Sequence, residues 1–238
     1  MNIALIGYGK MGKEIEQIAL ERKHNLPLII DINNINDLTS DNLKKVDVAI
    51  EFSRPETTVA NIRACFAAGT PVVCGTTGWL EYFDTIKSEC IKGGNGFFYA
   101  SNYSLGVNIF FKLNQFLAKI MNIFPQYEAE MEEVHHTQKL DAPSGTAISL
   151  AKDIIKELDR KDHWQLDGQD NSQALKIAAV RRDPVPGIHT IKYDSAVDFI
   201  EMTHSAKSRK GFALGAVLAA EFMAGKKGVY SMDDLLKF

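Results

Sequence analysis

Cysteine is scarce in this 238-residue chain, with only Cys65, Cys74 and Cys90. An odd number of thiols without CxxC spacing argues against a disulfide framework or a zinc site, so buried or idle thiols in a reducing compartment are expected and no metal site is. A dominant charge sign is also missing. The 27 Lys and Arg against 30 Asp and Glu leave a net charge of -3, which provides no large basic field for nucleic acid or an anionic membrane. No run approaches the roughly 20 apolar residues needed to span a bilayer. The chain opens directly on Met1-Asn2-Ile3-Ala4-Leu5-Ile6 without the parts of a secretory leader, so a cytoplasmic location is expected. Repeats, low-complexity runs and flexible linkers are absent too. What is there, 45% hydrophobic and 24% charged residues, suits a globular enzyme of one large domain or two modest ones.

The first half alternates short apolar runs with helical periods. Asn2–Ile6, Leu26–Ile30, Val46–Phe52, Pro71–Cys74 and Gly96–Tyr99 read as buried strands. Lys10–Arg22, Pro55–Ala68 and Leu80–Ile91 read as the helices between them. Parallel neighbours need crossovers, and right-handed crossovers give a doubly wound, Rossmann-type parallel sheet as the α/β default. Beyond Asn102 the pattern changes. A long apolar helix over Leu105–Phe124 precedes an alternating strand, Tyr127–Met131, and a second helix, Ser144–Leu158. Three strand-like runs follow, Ala174–Arg181, His189–Tyr193 and Val197–His204, so an α+β unit with an open, mostly antiparallel sheet is expected. A last helix, Arg209–Met223, and the tail Val229–Leu236 return to the first domain. The expected division is 1–103 with 209–238, and 104–208.

Gly7-Tyr8-Gly9-Lys10-Met11-Gly12 satisfies G-x-G-x-x-G between the first strand and first helix, which is the context that gives the pattern its weight. The helix N-terminus there offers unpaired N–H groups to a pyrophosphate. Asp31 closes the second strand near the ~20-residue separation expected of an acid that holds the adenosine ribose hydroxyls. Ile32 follows it with no nearby Arg for a 2′-phosphate, a lean towards NADH over NADPH, although Lys10 and Lys13 can still reach such a group. Gly75, Thr76 and Thr77 follow another strand at the same edge and can present backbone and hydroxyl groups to the nicotinamide side.

The densest chemistry lies between Glu133 and Thr146. His135 and His136 stand at a strand end, Lys139 follows in a loop, and Ser144-Gly145-Thr146 opens a helix. A helix start with a glycine and hydroxyls binds carboxylates, and a lysine with imidazoles beside it suits a polyanion that must also be protonated.

With these motifs in order, the chain resembles the 4-hydroxy-tetrahydrodipicolinate reductase family, also called dihydrodipicolinate reductase, of the diaminopimelate route to lysine. The resemblance runs through Gly7–Gly12, Ile50-Glu51-Phe52-Ser53-Arg54-Pro55-Glu56, Gly75–Gly78, Ala100–Gly106, Glu133–His136 and Lys139–Ala147. Gly187-Ile188-His189-Thr190, Thr203-His204 and Ser208–Phe212 also fit. The family implies NAD(P)H-dependent reduction of a small cyclic dicarboxylate, with loss of water from the 4-hydroxy substrate. It implies His135 at the reaction centre, Lys139 as general acid, and His136, Lys139, Gly145 and Thr146 on the substrate carboxylates. Gly7, Tyr8, Gly9, Lys10, Met11, Gly12, Asp31, Gly75, Thr76, Thr77, Ala100, Ser101, Asn102 and Tyr103 match cofactor positions, and so do Arg209 and Phe212. A homotetramer joined through the second-domain sheet is implied as well.

The chain departs from the family pattern in three places. Thr137 and Gln138 stand where the family often has further basic residues, which leaves Lys139 as the principal cation of the segment and implies a weaker grip on carboxylates. Arg181-Arg182-Asp183-Pro184 stands where the family has a more Gly-containing turn, and Arg181 or Arg182 can compensate electrostatically. The stretch between Asp31 and Val46 is short for a crossover. Two alternatives remain at this level: another two-domain nicotinamide oxidoreductase, and a dinucleotide-sensing protein without chemistry.

Overall fold

A computed structural model describes residues 1–166 and 171–238. Its first elements are β1 (Asn2–Ile6), α1 (Lys10–Glu21), β2 (Asn25–Ile30), α2 (Ser40–Leu43), β3 (Val48–Glu51), α3 (Pro55–Ala68), β4 (Val72–Cys74), α4 (Phe83–Gly93) and β5 (Gly96–Tyr99). Next come α5 (Leu105–Met121), β6 (Glu128–His135), α6 (Gly145–Glu157), β7 (His163–Leu166), β8 (Ala174–Arg181), β9 (Ile188–Asp194) and β10 (Phe199–Ser205). The chain ends in α7 (Lys210–Met223), β11 (Gly228–Tyr230) and α8 (Met232–Leu236). Two compact units result: Met1–Leu105 with Arg209–Phe238, and Gly106–Ser208.

In the first unit six parallel strands run in the order β11-β5-β4-β3-β1-β2. Successive side chains of a strand point to opposite faces, so each apolar run serves two cores. Ile3, Leu5, Val48 and Ile50 pack with Ile15 of α1 and Ala216 and Val217 of α7. Ala4, Ile6, Ala49 and Val72 pack on the other face with Ile62 of α3 and Ile86 of α4. The three cysteines are free and lie in that second core. Helix α3 starts with Pro55 in its first turn and stops at Gly69, whose φ of 72° is the left-handed conformation that ends helices.

Several boundaries differ from expectation. The strand read over Val46–Phe52 extends only from Val48 to Glu51, and the helix read over Leu80–Ile91 opens with a 3-10 turn at Leu80–Tyr82. Between β2 and β3 the short connection folds into a 3-10 turn, Ile32–Asp37, and the single turn of α2. Strand β11 within the expected tail has three residues and sits at the sheet edge, too short for a periodic signal.

The second unit has five strands in the order β10-β9-β6-β8-β7, with α5 and α6 supplying side chains to one core. The sheet is mixed rather than mostly antiparallel. β9 runs antiparallel to β6 and β10, while β6–β8 and β8–β7 are parallel. The reason is strand order: β9 pairs with β6, not with its chain predecessor β8, and α6 provides the crossover that parallel pairing needs. β7 escaped the sequence reading because His163-Trp164-Gln165-Leu166 is a partly exposed edge strand without alternation.

Candidate active site

The carboxyl ends of β1, β2, β4 and β5 carry most of the residues read as cofactor-binding. Gly7 turns the chain at φ 99°, where an added Cβ would lie 2.1 Å from Phe52 O. A Cβ on Gly12 would lie 2.3 Å from Gly7 O, so these two glycines are required by the turn itself. Gly9 differs: a Cβ there meets nothing within 4 Å. Gly9 also N-caps α1 with no side-chain cap, so the first-turn N–H groups of the helix lack an intrahelical or capping partner. This open, donor-rich turn fits a pyrophosphate.

The other residues of this group divide by burial. Lys10 is exposed, whereas Met11 packs against the core beneath the turn. Tyr8 donates its hydroxyl to Glu16, with Lys13 Nζ 5.8 Å from its ring. Asp31 Oδ1 accepts from Ile32 N at 2.8 Å and caps the following 3-10 turn, which leaves acceptor capacity for a diol. Gly75 is a packing requirement, because its Cβ would fall 2.1 Å from the Phe52 ring. Thr77 is exposed, whereas Thr76 is buried. Ala100, Ser101 and Asn102 follow β5, with Asn102 Oδ1 accepting from Ser104 N at 2.9 Å. Tyr103 points inwards: it is 2% exposed and donates to Cys74 O at 2.7 Å, so its side chain belongs to the core. Arg209 is exposed at the start of α7, and Phe212 is half-buried in its first turn.

Sequence reasoning missed what holds this edge together. Glu51, at the end of β3, is fully buried. It accepts from Thr76 Oγ1 at 2.7 Å, from Asn61 Nδ2 at 3.2 Å and from the Ser53 hydroxyl. The Cys74 thiol also donates to it at 3.4 Å, and burial together with that carboxylate pushes this thiol well up. A carboxylate this deep needs such donors, and they in turn fix the loops after β3 and β4.

The second unit gathers its chemistry at the end of β6. Glu128, Glu130 and Glu132 are exposed, while Ala129, Met131, Glu133 and His135 lie on the helix-covered face. Register pairs Glu133 with His189 on β9 and His135 with Arg181 on β8. Glu133 accepts from Ser144 N at 3.0 Å and from Arg181 Nη2 at 3.1 Å. Ser144 N-caps α6: its Oγ accepts from Ala147 N at 3.2 Å and lies 3.2 Å from His189 Nε2. The Gly145 and Thr146 amides remain at the open helix start, and a Cβ on Gly145 would meet nothing within 4 Å. His136 is half-buried and its carbonyl accepts from Lys139 N at 3.1 Å. Lys139 Nζ pairs with Asp141 at 2.8 and 2.9 Å, and the ammonium holds the Asp141 carboxyl below its usual range.

The residues that depart from the family pattern have places as well. Thr137 donates its N–H (3.1 Å) and its hydroxyl to Asp183, tying the loop after β6 to the turn after β8. Arg181 donates to Lys139 O at 3.3 Å and Asp141 O at 2.5 Å, and Arg182 N donates to His135 O at 2.8 Å. Arg181 thus brings its charge to the cradle, as its position in sequence allowed.

Burial pushes both inner imidazoles down, His189 to about 4, while Glu133 pulls the other way. Between about pH 4 and the ordinary histidine value near 6.5, the unfolded chain binds more protons at His189 than the folded chain does. Stability from this group is present above about pH 6.5 and is lost as pH falls towards 4. Chemical denaturation at pH 7 and pH 4.5 is expected to show His189→Asn losing less stability than the parent across that window, by up to about 3 kcal/mol. Equal losses in the two proteins would remove His189 as the source.

A dinucleotide-type sheet joined to a mixed α+β unit with a basic, imidazole-lined cradle defines a two-unit nicotinamide-dependent oxidoreductase. The family model described as dihydrodipicolinate reductase, N-terminus, matches residues 1–103, and the one described as dihydrodipicolinate reductase, C-terminus, matches residues 106–236. The chain belongs to this family. It is 48% identical to the 4-hydroxy-tetrahydrodipicolinate reductase of Christiangramia forsetii, covering 99% of this chain and 98% of that one. It is 33% identical to the Lawsonia intracellularis protein of the same name, covering 99% of each. Its fold is similar to a dipicolinate-bound dihydrodipicolinate reductase from Paenisporosarcina sp. TG-14, with TM-score 0.78, 22% identity and 98% coverage of both chains.

Proposed function

We propose that the chain reduces 4-hydroxy-tetrahydrodipicolinate to tetrahydrodipicolinate and water, using NADH or NADPH, in diaminopimelate and lysine biosynthesis. The observation that carries this reading is the cradle in Gly106–Ser208, where His135 and the open start of α6 adjoin one buried carboxylate and Arg181 ties the Lys139 loop to it. Dipicolinate in the Paenisporosarcina neighbour is a ligand of the chemistry that such a cradle takes.

The roles follow from the donors present. The Gly145 and Thr146 amides at the positive end of α6 bind one carboxylate, and His136 and Lys139 serve the other. The glycine turn after β1 holds the dinucleotide, with Asp31 on its ribose and Thr77, Ser101 and Arg209 as further contacts. A bound dihydronicotinamide supplies the hydride. His135 sits by the reacting ring, and Lys139 Nζ delivers the proton to the ring nitrogen system as negative charge grows there. The dicarboxylate and dinucleotide sites are assigned to separate units, and a sensing role without chemistry gives no reason for the proton donor at Lys139.

Ile32 follows Asp31 directly, and no arginine occurs in the sequence from Ile32 to Val46 to meet a 2′-phosphate. This supports a preference for NADH, with Lys10 and Lys13 as the cations that can oppose it. We also propose that the chain assembles as a homotetramer through the second-unit sheet. Edge strand β10 exposes Phe199 and Ile200, and Val197 beside it is 87% exposed, an apolar edge that a partner strand would cover. A monomer in sedimentation would contradict the assembly. No helix is long and apolar enough to cross a membrane among the described residues, and a cytoplasmic setting remains part of this proposal.

The test is a coupled assay that generates the substrate in place and follows dihydronicotinamide absorbance with each cofactor. Oxidation is expected with both, with the larger kcat/KM for NADH. Intact cofactor binding without turnover would favour the sensor, and a far larger kcat/KM for NADPH would reverse the preference. His135→Ala is expected to lower kcat about 100-fold while dinucleotide affinity holds.

A further inference from the structure

Glu133 is fully buried and meets polar groups from its own strand, from β8 and β9, and from the start of α6. Its carboxylate accepts from Ser144 N at 3.0 and 3.1 Å, from the start of α6. It lies 3.5 Å from His135 Nδ1 on its own strand and 3.7 Å from His189 Nε2 on β9. From β8, Arg181 Nη2 reaches it at 3.1 Å and also donates to Asp141 O at 2.5 Å, while Arg181 Nε donates to Lys139 O. One buried carboxylate is therefore linked to the reaction-centre imidazole, the carboxylate-binding helix start and the loop that carries the proton donor.

Glu133, His135 and His189 also place ligand-type atoms within 4.8 Å of one another, a spacing that a metal ion can use. The donors already present argue against it. Both carboxylate oxygens accept from Ser144 N, and the guanidinium of Arg181 supplies the positive charge that a cation would bring. Among the described residues His135 Nδ1 is buried without a hydrogen-bond partner, and it faces this carboxylate. Closing that gap by a few tenths of an ångström makes a hydrogen bond that orients the ring.

We propose that Glu133 is the positioning residue of the substrate cradle, setting the His135 ring and the α6 start directly and the Lys139 loop through Arg181. This rests on the reading of that cradle as the dicarboxylate site. Glutamine in place of Glu133 keeps the size but exchanges one acceptor oxygen for a donor NH2. It then meets N–H groups from Ser144 or Arg181, and one of those bonds is lost. Lysine in place of Arg181 keeps the charge beside Glu133 and loses the fork that reaches both loop carbonyls.

The experiment compares Glu133→Gln, Arg181→Lys and the double variant in the coupled assay, with dinucleotide affinity and melting temperature measured in parallel. Glu133→Gln is expected to lower kcat/KM for the dicarboxylate about 10- to 100-fold with dinucleotide affinity within about twofold. Arg181→Lys should lower it several-fold. The double variant should be no worse than Glu133→Gln, because the two residues act as one chain of contacts. The imidazole 15N resonances of His135 should move in Glu133→Gln, which a merely space-filling role would not produce. If Glu133→Gln does not fold, Arg181→Lys and its 15N spectrum carry the test. Normal kcat/KM in Glu133→Gln or in Arg181→Lys, or losses that multiply in the double variant, would overturn the proposal. An inactive parent enzyme would instead overturn the functional reading beneath it.

Discussion

Lys139→Ala is expected to lower kcat by about 10²- to 10⁴-fold, the range a positioned general acid contributes, while dinucleotide affinity stays within about twofold. The second figure follows from the fold, because Lys139 lies in Gly106–Ser208 and the glycine turn lies in the other unit. The structure adds a second effect. Lys139 is held by Asp141, so its removal leaves an exposed carboxylate in the cradle assigned to the dicarboxylate. That repulsion enters KM, and it is weak because Asp141 is more than half exposed and screened by solvent. The two contributions separate in Lys139→Ala/Asp141→Asn, where KM should recover only in part, because the carboxylate contact assigned to Lys139 is still missing, and kcat should not recover. Steady-state kinetics under saturating dinucleotide measures both. A kcat in Lys139→Ala equal to that of the parent would remove this lysine as the acid, and the proton would need another source.

The first unit was largely legible in the sequence because its signals are local. β1 and β5 fall on the residues read for them, since a short apolar run closed by Gly or polar residues is how a strand buried on both faces looks. Helix α3 is bounded by Pro55 and Gly69, each of which acts within one turn of its own position. The second sheet was less legible because strand order is a long-range property. Nothing in Ala174–Arg181 announces that it pairs parallel with β6, or that β9 passes it by to lie on the other side of β6.

The same division applies to the site. His135, His136, Lys139, Gly145 and Thr146 lie within one short segment, so their types and spacing were readable together. Glu133 left a signal that was not used. The alternation of β6 places acids outward at Glu128, Glu130 and Glu132, and an acid at the next position must point inward, where it needs partners. Which partners it finds depends on register: His189 lies 56 residues further along the chain and Arg181 lies 48. Glu51 is the counterpart in the first unit, an inward acid at a strand end whose donors come from loops that only the folded sheet brings together. Local chemistry was therefore visible, and the buried acids that organise it were not.

Gly12→Val is expected to abolish dinucleotide binding and to lower stability as well. A Cβ at Gly12 would lie 2.3 Å from Gly7 O, and that oxygen cannot yield easily because Gly7 is itself pressed against Phe52 O. Helix α1 must then lift from the turn, at a cost on the order of 1–3 kcal/mol for an overpacked site, and the N–H groups assigned to the pyrophosphate lose their common focus. Stability loss alone is not evidence for a cofactor site, so Gly9→Ala is the necessary companion. Its added methyl group meets no protein atom within 4 Å, so the melting temperature should not change. The methyl group would occupy the space assigned to the pyrophosphate, and dinucleotide affinity should fall at least about tenfold, corresponding to 1.4 kcal/mol. Titration of NADH by fluorescence with thermal melting on both variants reads the pair. Parental affinity in Gly9→Ala would show that the phosphates do not pass over Gly9, and the glycine motif would then be a packing device alone.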